Sequence, residues 1–172
     1  MREFSLLIPS NIIYSEEIGI VTRFIVGSLM LSHEIRRDSK VNIIIDKEIC
    51  ITFNGKVMRN VRPDESSLSG IIKAGLRKIG KKVLPGVIVK RINLEDFFNK
   101  VKVNKLYYSE KIGKIQDISN EFFIVFQYPK LEIEELLLRM NFLPIKLSKK
   151  SLFPDQAVVI LNNKLDRKIF GI

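Results

Sequence analysis

Phe122 to Phe126 reads FFIVF, and Val41 to Ile45 reads VNIII. A strand with one face in water alternates apolar and polar residues, because successive side chains point to opposite sides. Neither run alternates, so each needs cover on both faces, and helices are what cover a sheet from both sides. Helical spacing is found where that cover is required. From about Glu17 to Ile35 the residues Ile18, Val21, Ile25 and Leu29 recur every three to four positions, widened by Ile20, Phe24, Val26, Met30 and Leu31. Strands alternating with helices predict an α/β fold with a largely parallel sheet.

The remaining elements follow from the same two periods. Glu3 to Ile8 predicts a strand ended by Pro9. Ile49 to Phe53, the turn signal Asn54-Gly55 and Lys56 to Met58 predict a hairpin. Arg62-Pro63-Asp64-Glu65-Ser66 opens a second helix, with Asp64 or a serine as N-cap and a buried stripe of Leu68, Ile71, Ile72, Leu76, Ile79 and Val83. Val87 to Lys90 is a strand and Leu94 to Val101 a short helix with Phe97 and Phe98 inward. Leu106 to Tyr108 and a turn at Gly113 lead to the FFIVF strand. A helix marked by Ile133, Leu136, Leu137 and Met140, a strand over Phe142 to Leu147 and a last helix carrying Ala157, Val158, Leu161 and Leu165 complete the chain. With 172 residues, 46% of them hydrophobic, and no repeat or linker-like shift in composition, one domain over residues 1–172 is expected.

One cysteine excludes an internal disulfide, and one histidine beside it cannot complete a zinc set, so no metal is expected. Cys50 reads as a small buried hydrophobe. No run approaches the ~20 apolar residues of a membrane span. The opening MREFSLLIPSNII carries a Glu and a Pro where a signal peptide needs an unbroken apolar run, and a cytoplasmic protein is expected. No glycine-rich phosphate loop or nucleophile elbow is found.

Twenty-nine Lys and Arg against nineteen Asp and Glu leave a net charge of +10, which attracts polyanions, nucleic acid first among them. The densest block is Ser66 to Arg91, with seven basic residues and no acidic one; Lys73, Arg77 and Lys81 recur there every four positions. A second cluster is SHEIRRD, Ser32 to Asp38. Two readings of it stand side by side. Arg36 and Arg37 are either favourable cations at a helix C-terminus, with Asp38 neutralising one, or phosphate grips that join Arg23 and the Lys73 to Lys82 block in one RNA track. His33 reads as a helix-end histidine, and the general base of any reaction is left unassigned.

Several separated pieces, MREF, LSHEIRRDSKVNIII, NVRPDESSLSGIIKAGL, PGVIVKR with LEDFF, and LNNKLDRK, together resemble the archaeal tRNA (pseudouridine(54)-N1)-methyltransferases over nearly the whole chain. The resemblance implies a SPOUT-type α/β fold whose C-terminal part, about residues 120–172, threads a trefoil knot. It also implies S-adenosylmethionine bound in the knot region, a homodimer with Val158, Leu161 and Leu165 covering the partner, and methyl transfer to N1 of a pseudouridine in the tRNA T-loop. The cofactor loops fall on Val125, Phe126, Leu147, Ser148, Leu152 and Ala157.

Those loops depart from the family pattern. A Leu-Gly-Asp-His type loop is here Val125-Phe126-Gln127-Tyr128, and the second loop, Leu147 to Leu152, also lacks its glycine. Ala157 stands for a common cysteine, and Glu16 to Gly19 lacks the acidic residue of a Gly-Arg-x-Asp piece. A phenylalanine ring at 126 is expected to occupy space that glycine leaves to the cofactor. Two readings follow: a divergent methyltransferase that still holds the cofactor through backbone groups, with the aromatic at 126 or 128 on the adenine, or a non-catalytic RNA-binding or partner-binding protein.

Overall fold

The structure, a computed structural model, describes residues 1–113 and 118–171. Eight strands form one sheet: β1 (Arg2–Ile8), β2 (Ser39–Ile45), β3 (Ile49–Asn54), β4 (Lys82–Leu84), β5 (Val87–Arg91), β6 (Asn104–Tyr108), β7 (Phe122–Gln127) and β8 (Leu143–Ile145). Their order is β4-β5-β3-β2-β1-β7-β6-β8. The run from β2 through β1, β7 and β6 to β8 is parallel, and β3, β4 and β5 add an antiparallel wing.

The lack of alternation in the strands has the expected cause. Phe4, Leu6, Ile8, Ile124 and Phe126 enter a core shared with helices α1 (Ile18–Leu29), α2 (Glu65–Leu76) and α5 (Pro154–Phe170). Leu7, Ile44, Phe123 and Val125 point the other way, against α3 (Leu94–Asn99) and α4 (Glu134–Arg139), where they meet Phe98, Leu137 and Phe142. Cys50 is fully buried on that second side. Asp64 caps α2 by accepting the Ser67 amide at 2.8 Å, as its position in the sequence implies.

Several boundaries fall elsewhere than periodicity places them. Helix α1 stops at Leu29, because Met30 is extended and pairs with Ile35 across the exposed Ser32-His33-Glu34 turn. Helix α2 stops at Leu76, and Val83 belongs to β4. The expected Asn54-Gly55 hairpin does not form: β3 pairs with β2 and β5, and Lys56 to Met58 is not a strand. Gly55 instead passes so close to the chain that a Cβ there would lie 2.1 Å from the Arg36 carbonyl oxygen. The true reversal is the three-residue loop Asp46 to Glu48, where Ile45 pairs with Ile49 and Asp46 and Lys47 are both left-handed with φ of 51° and 61°.

Helix α5 is longer than its sequence stripe suggested, and Val158, Leu161 and Leu165 are buried against this chain's own sheet and α1. They are therefore not free to cover a partner. Among the described residues no helix is long and apolar enough to cross a membrane, and no cluster of potential metal ligands occurs.

Candidate active site

In a parallel sheet the strand ends release loops on one side, and ligands bind outside those carboxyl ends. Here β6 and β7 end beside each other, and the start of α5 closes the third side. Between them lies a pocket of about 470 Å³, within the usual size of a small-molecule site.

Its walls are built by consecutive residues facing opposite ways. Tyr107 donates its hydroxyl to Glu134 Oε1 at 2.9 Å on the α4 side. Tyr108 leans on the Phe126 ring at 5.5 Å, and its Oη accepts the Leu152 amide at 3.3 Å. From the end of β7, Tyr128 donates to Glu17 Oε1 at 3.0 Å and meets the Phe153 ring edge-on at 5.8 Å. Glu110 accepts the Ser151 hydroxyl at 2.5 Å, and Lys111 and Lys130 complete the charged lining. Burial first, then the Glu134 carboxylate, pushes the Tyr107 phenol up to about 12. Burial also raises Tyr108 and Tyr128, the latter helped by Glu17 and Asp155, so all three phenols stay protonated donors at neutral pH.

Of the six residues expected at the cofactor loops, Leu152 alone lines this pocket. Val125, Phe126, Leu147 and Ala157 are buried beneath it, and Ser148 is half-buried, accepting the Lys150 amide at 3.1 Å. The Phe126 ring does not fill the pocket. It lies in the core, edge-on to Phe24 at 5.2 Å and under Tyr108. Of the two aromatics considered for the adenine, Tyr128 is the one on the wall. The other residues that build the site, Tyr107, Tyr108, Glu110 and Glu134, were not singled out in the sequence; the signal for the first three was their place at or just after the end of an apolar strand.

The basic residues divide in two. Arg36 grips Asp166 with both terminal nitrogens, at 2.9 and 2.5 Å. Arg2, whose side chain is 2% exposed, joins the same carboxylate at 2.9 Å and Asn162 Oδ1 at 2.8 Å. Three pieces of the recognised pattern, MREF, IRRD and LNNKLDRK, thus meet in one buried polar cluster that ties α5 to the first strand. Arg37 donates to the carbonyls of Gly55 and Met58, both at 2.9 Å. The expectation that Arg36 faces phosphate is corrected by this geometry, since both its terminal nitrogens are held by Asp166, whereas Arg37 stays exposed with one terminal nitrogen on those two carbonyls. Arg23 is intermediate: it donates to Asp155 Oδ2 at 2.8 Å, yet its side chain is 59% exposed. Lys73 is half-buried on α2, while Arg77 and Lys81 just beyond it are exposed.

Comparison with known proteins agrees with the fold. Residues 15–170 match the family described as putative SAM-dependent RNA methyltransferases. A tRNA (pseudouridine(54)-N(1))-methyltransferase of Methanococcoides burtonii is 30% identical over 88% of this chain and 84% of its own length. The enzyme of the same name from Methanopyrus kandleri is 30% identical over 90% of this chain and 81% of its own. Among solved structures, Archaeoglobus fulgidus Nep1 bound to S-adenosylhomocysteine superposes with a TM-score of 0.59 at 16% identity, covering 90% of this chain and 71% of that one. The last is a likeness of fold. With a family match over residues 15–170 and relatives aligned over most of their own length, this chain belongs to the SAM-dependent RNA methyltransferase family.

Proposed function

We propose that the protein methylates N1 of a pseudouridine in the T-loop of tRNA, with S-adenosylmethionine as donor. The observation that carries this reading is the open pocket at the ends of β6 and β7 in a chain whose relatives are named for that activity. The lining suits a zwitterionic nucleoside. Tyr107, Tyr108, Ile112, Leu152 and Phe153 offer apolar faces for a base and a thioether chain, Glu110 and Glu134 can accept hydroxyl protons, and Lys111 and Lys130 can pair with a carboxylate. Bound there, S-adenosylmethionine supplies a methyl group already activated on a sulfonium. The chain then has to hold donor and acceptor in line, which is worth several kcal/mol of barrier in general, about 7 or more for well-oriented pairs.

The non-catalytic alternative rested on the missing loop glycines, and above all on a ring at 126 in the cofactor's space; Phe126 turns into the core instead of the pocket, so that ring does not obstruct it. On the RNA side, Lys73, Arg77 and Lys81 are the grip in this proposal, with the exposed side of Arg23 beside them. We read the C-terminal part as the trefoil knot of this fold class. In support, the segment after β6 presses so tightly on β8 that a Cβ on Gly113 would sit 2.6 Å from the Pro144 carbonyl oxygen. A homodimer through α5 would use its outer residues Val159 and Phe170, 52% and 72% exposed.

The test is calorimetric titration with S-adenosylmethionine, followed by incubation with tRNA carrying pseudouridine in its T-loop and mass spectrometry of the nucleosides. Saturable heat and N1-methylpseudouridine are expected. Binding of tRNA without either would overturn the activity.

A further inference from the structure

The segment that follows β3 and builds α2, β4 and β5 carries most of the chain's excess charge. Between Asn54 and Ile92 there are ten basic residues and two acidic ones, in a chain whose whole net charge is +10. Nine of the ten, all except Lys73, are exposed. Among the described residues none of the ten has a carboxylate within ion-pairing distance. Uncompensated cations repel one another, so such a surface is stabilised by a polyanion that supplies the missing charge. An open groove of about 510 Å³ runs through it, with Arg62 and Lys78 on its walls and Gly70, Ile71 and Ala74 along its floor.

Composition decides which polyanion. Proteins that hold single strands interleave cations with aromatic rings on which bases stack. No Phe, Tyr or Trp occurs from Asn54 to Asp96, and the exposed apolar side chains here are Val57 and Ile88. What remains is a surface for phosphates and sugar hydroxyls, which is how paired A-form RNA is recognised. Position decides the rest. β5 stands four strand steps from β7, at about 4.8 Å each, so the wing lies about 19 Å along the sheet from the pocket.

We propose that the wing formed by β4, β5 and α2 docks the backbone of a double-helical stem while the pocket side receives a nucleotide from the adjoining loop. This rests on the proposed activity but is separable from it. A span of about 19 Å corresponds to roughly seven base pairs at the rise of about 2.8 Å of A-form RNA, so the substrate must carry a stem of about that length.

The test compares two RNA stem-loops with the same pseudouridine-containing loop, one with ten base pairs and one with three, and a single strand of the long RNA's length. Dissociation constants are measured across a potassium chloride series for the wild type and for the Arg62→Ala/Lys78→Ala/Lys82→Ala variant. All three changes are on the surface, and circular dichroism checks that the fold is kept. We expect the long stem-loop to bind at least tenfold more tightly than the other two. In the variant, that advantage should fall below threefold and the log–log salt slope by about two, near 0.7 to 0.9 per lost contact. Equal binding of long and short stems, preference for the single strand, or an unchanged slope in the variant would each overturn stem docking. Methyl transfer by the wild type to the long stem-loop, assayed alongside, reports the proposed activity independently.

Discussion

Arg36 and Arg77 both belong to basic clusters of the sequence, and they come to opposite uses. Arg36 lies in the cluster with Arg2, Asn162 and Asp166, its side chain 13% exposed and both terminal nitrogens on one carboxylate. Arg77 is exposed and, among the described residues, has no carboxylate within ion-pairing distance. The first kind of arginine holds the chain together; the second has donors left for a ligand. Charge density in a sequence does not separate them, because a carboxylate 130 residues away is what removed Arg36 from the surface.

The contrast is tested most severely at Asp166. Asp166→Ala leaves the buried Arg2 with the neutral Asn162 and, as its one remaining carboxylate, Asp38 at 3.5 Å, and should cost about 3 kcal/mol or more in urea unfolding. Burial alone would raise the Asp166 carboxyl, but hydrogen bonds and charge from Arg36 and Arg2 outweigh it and hold the carboxyl below its ordinary value. Its contribution is thus complete above the ordinary aspartate range and is lost as pH falls through the lowered folded value. Asp166→Asn should flatten that acid limb; an acid limb identical to the wild type would show that the pair does not stabilise the fold.

Arg23 tests the middle of the range. Arg23→Ala removes the bond to Asp155, whose other oxygen is buried and already without a partner. A loss of about 1–3 kcal/mol follows if Arg23 chiefly serves Asp155, and no loss if it belongs with the exposed group. The smallest effect is expected at Arg77→Ala, with an unchanged thermal midpoint and weaker tRNA binding. A destabilised Arg77→Ala protein would erase the distinction between the two groups.

Much of the architecture was legible beforehand because its causes are local. FFIVF and the strands beside it are apolar on both sides, Asp64 sits where a helix cap belongs, and Phe98 lies in the core. The errors have a common source in contacts between distant parts. Asn54-Gly55 is a strong hairpin signal, but here the glycine serves the close passage under Arg36 and Ser39. The loop from Asp46 to Glu48 makes the reversal without any glycine to announce it. Val158, Leu161 and Leu165 form an apolar stripe, and the stripe alone does not say whether this chain or a second one covers it.

The site shows the same division. Its location after two buried strands is implied by the α/β pattern, yet its lining is not. Phe126 looks like an obstruction when read in line with the glycine it replaces; only the facing of β7, with Phe24 behind it, sends that ring into the core.

Side-chain period, capping and net charge are properties of neighbours along the chain, and from them the sequence alone determined a sheet covered on both faces and a strongly basic wing. Which arginines are consumed by Asp166, which way Phe126 turns and where the pocket opens depend on residues brought together from opposite ends of the chain. Those were decided by tertiary packing, because a hydrogen bond or a ring contact is set by distance in space and not by separation in sequence.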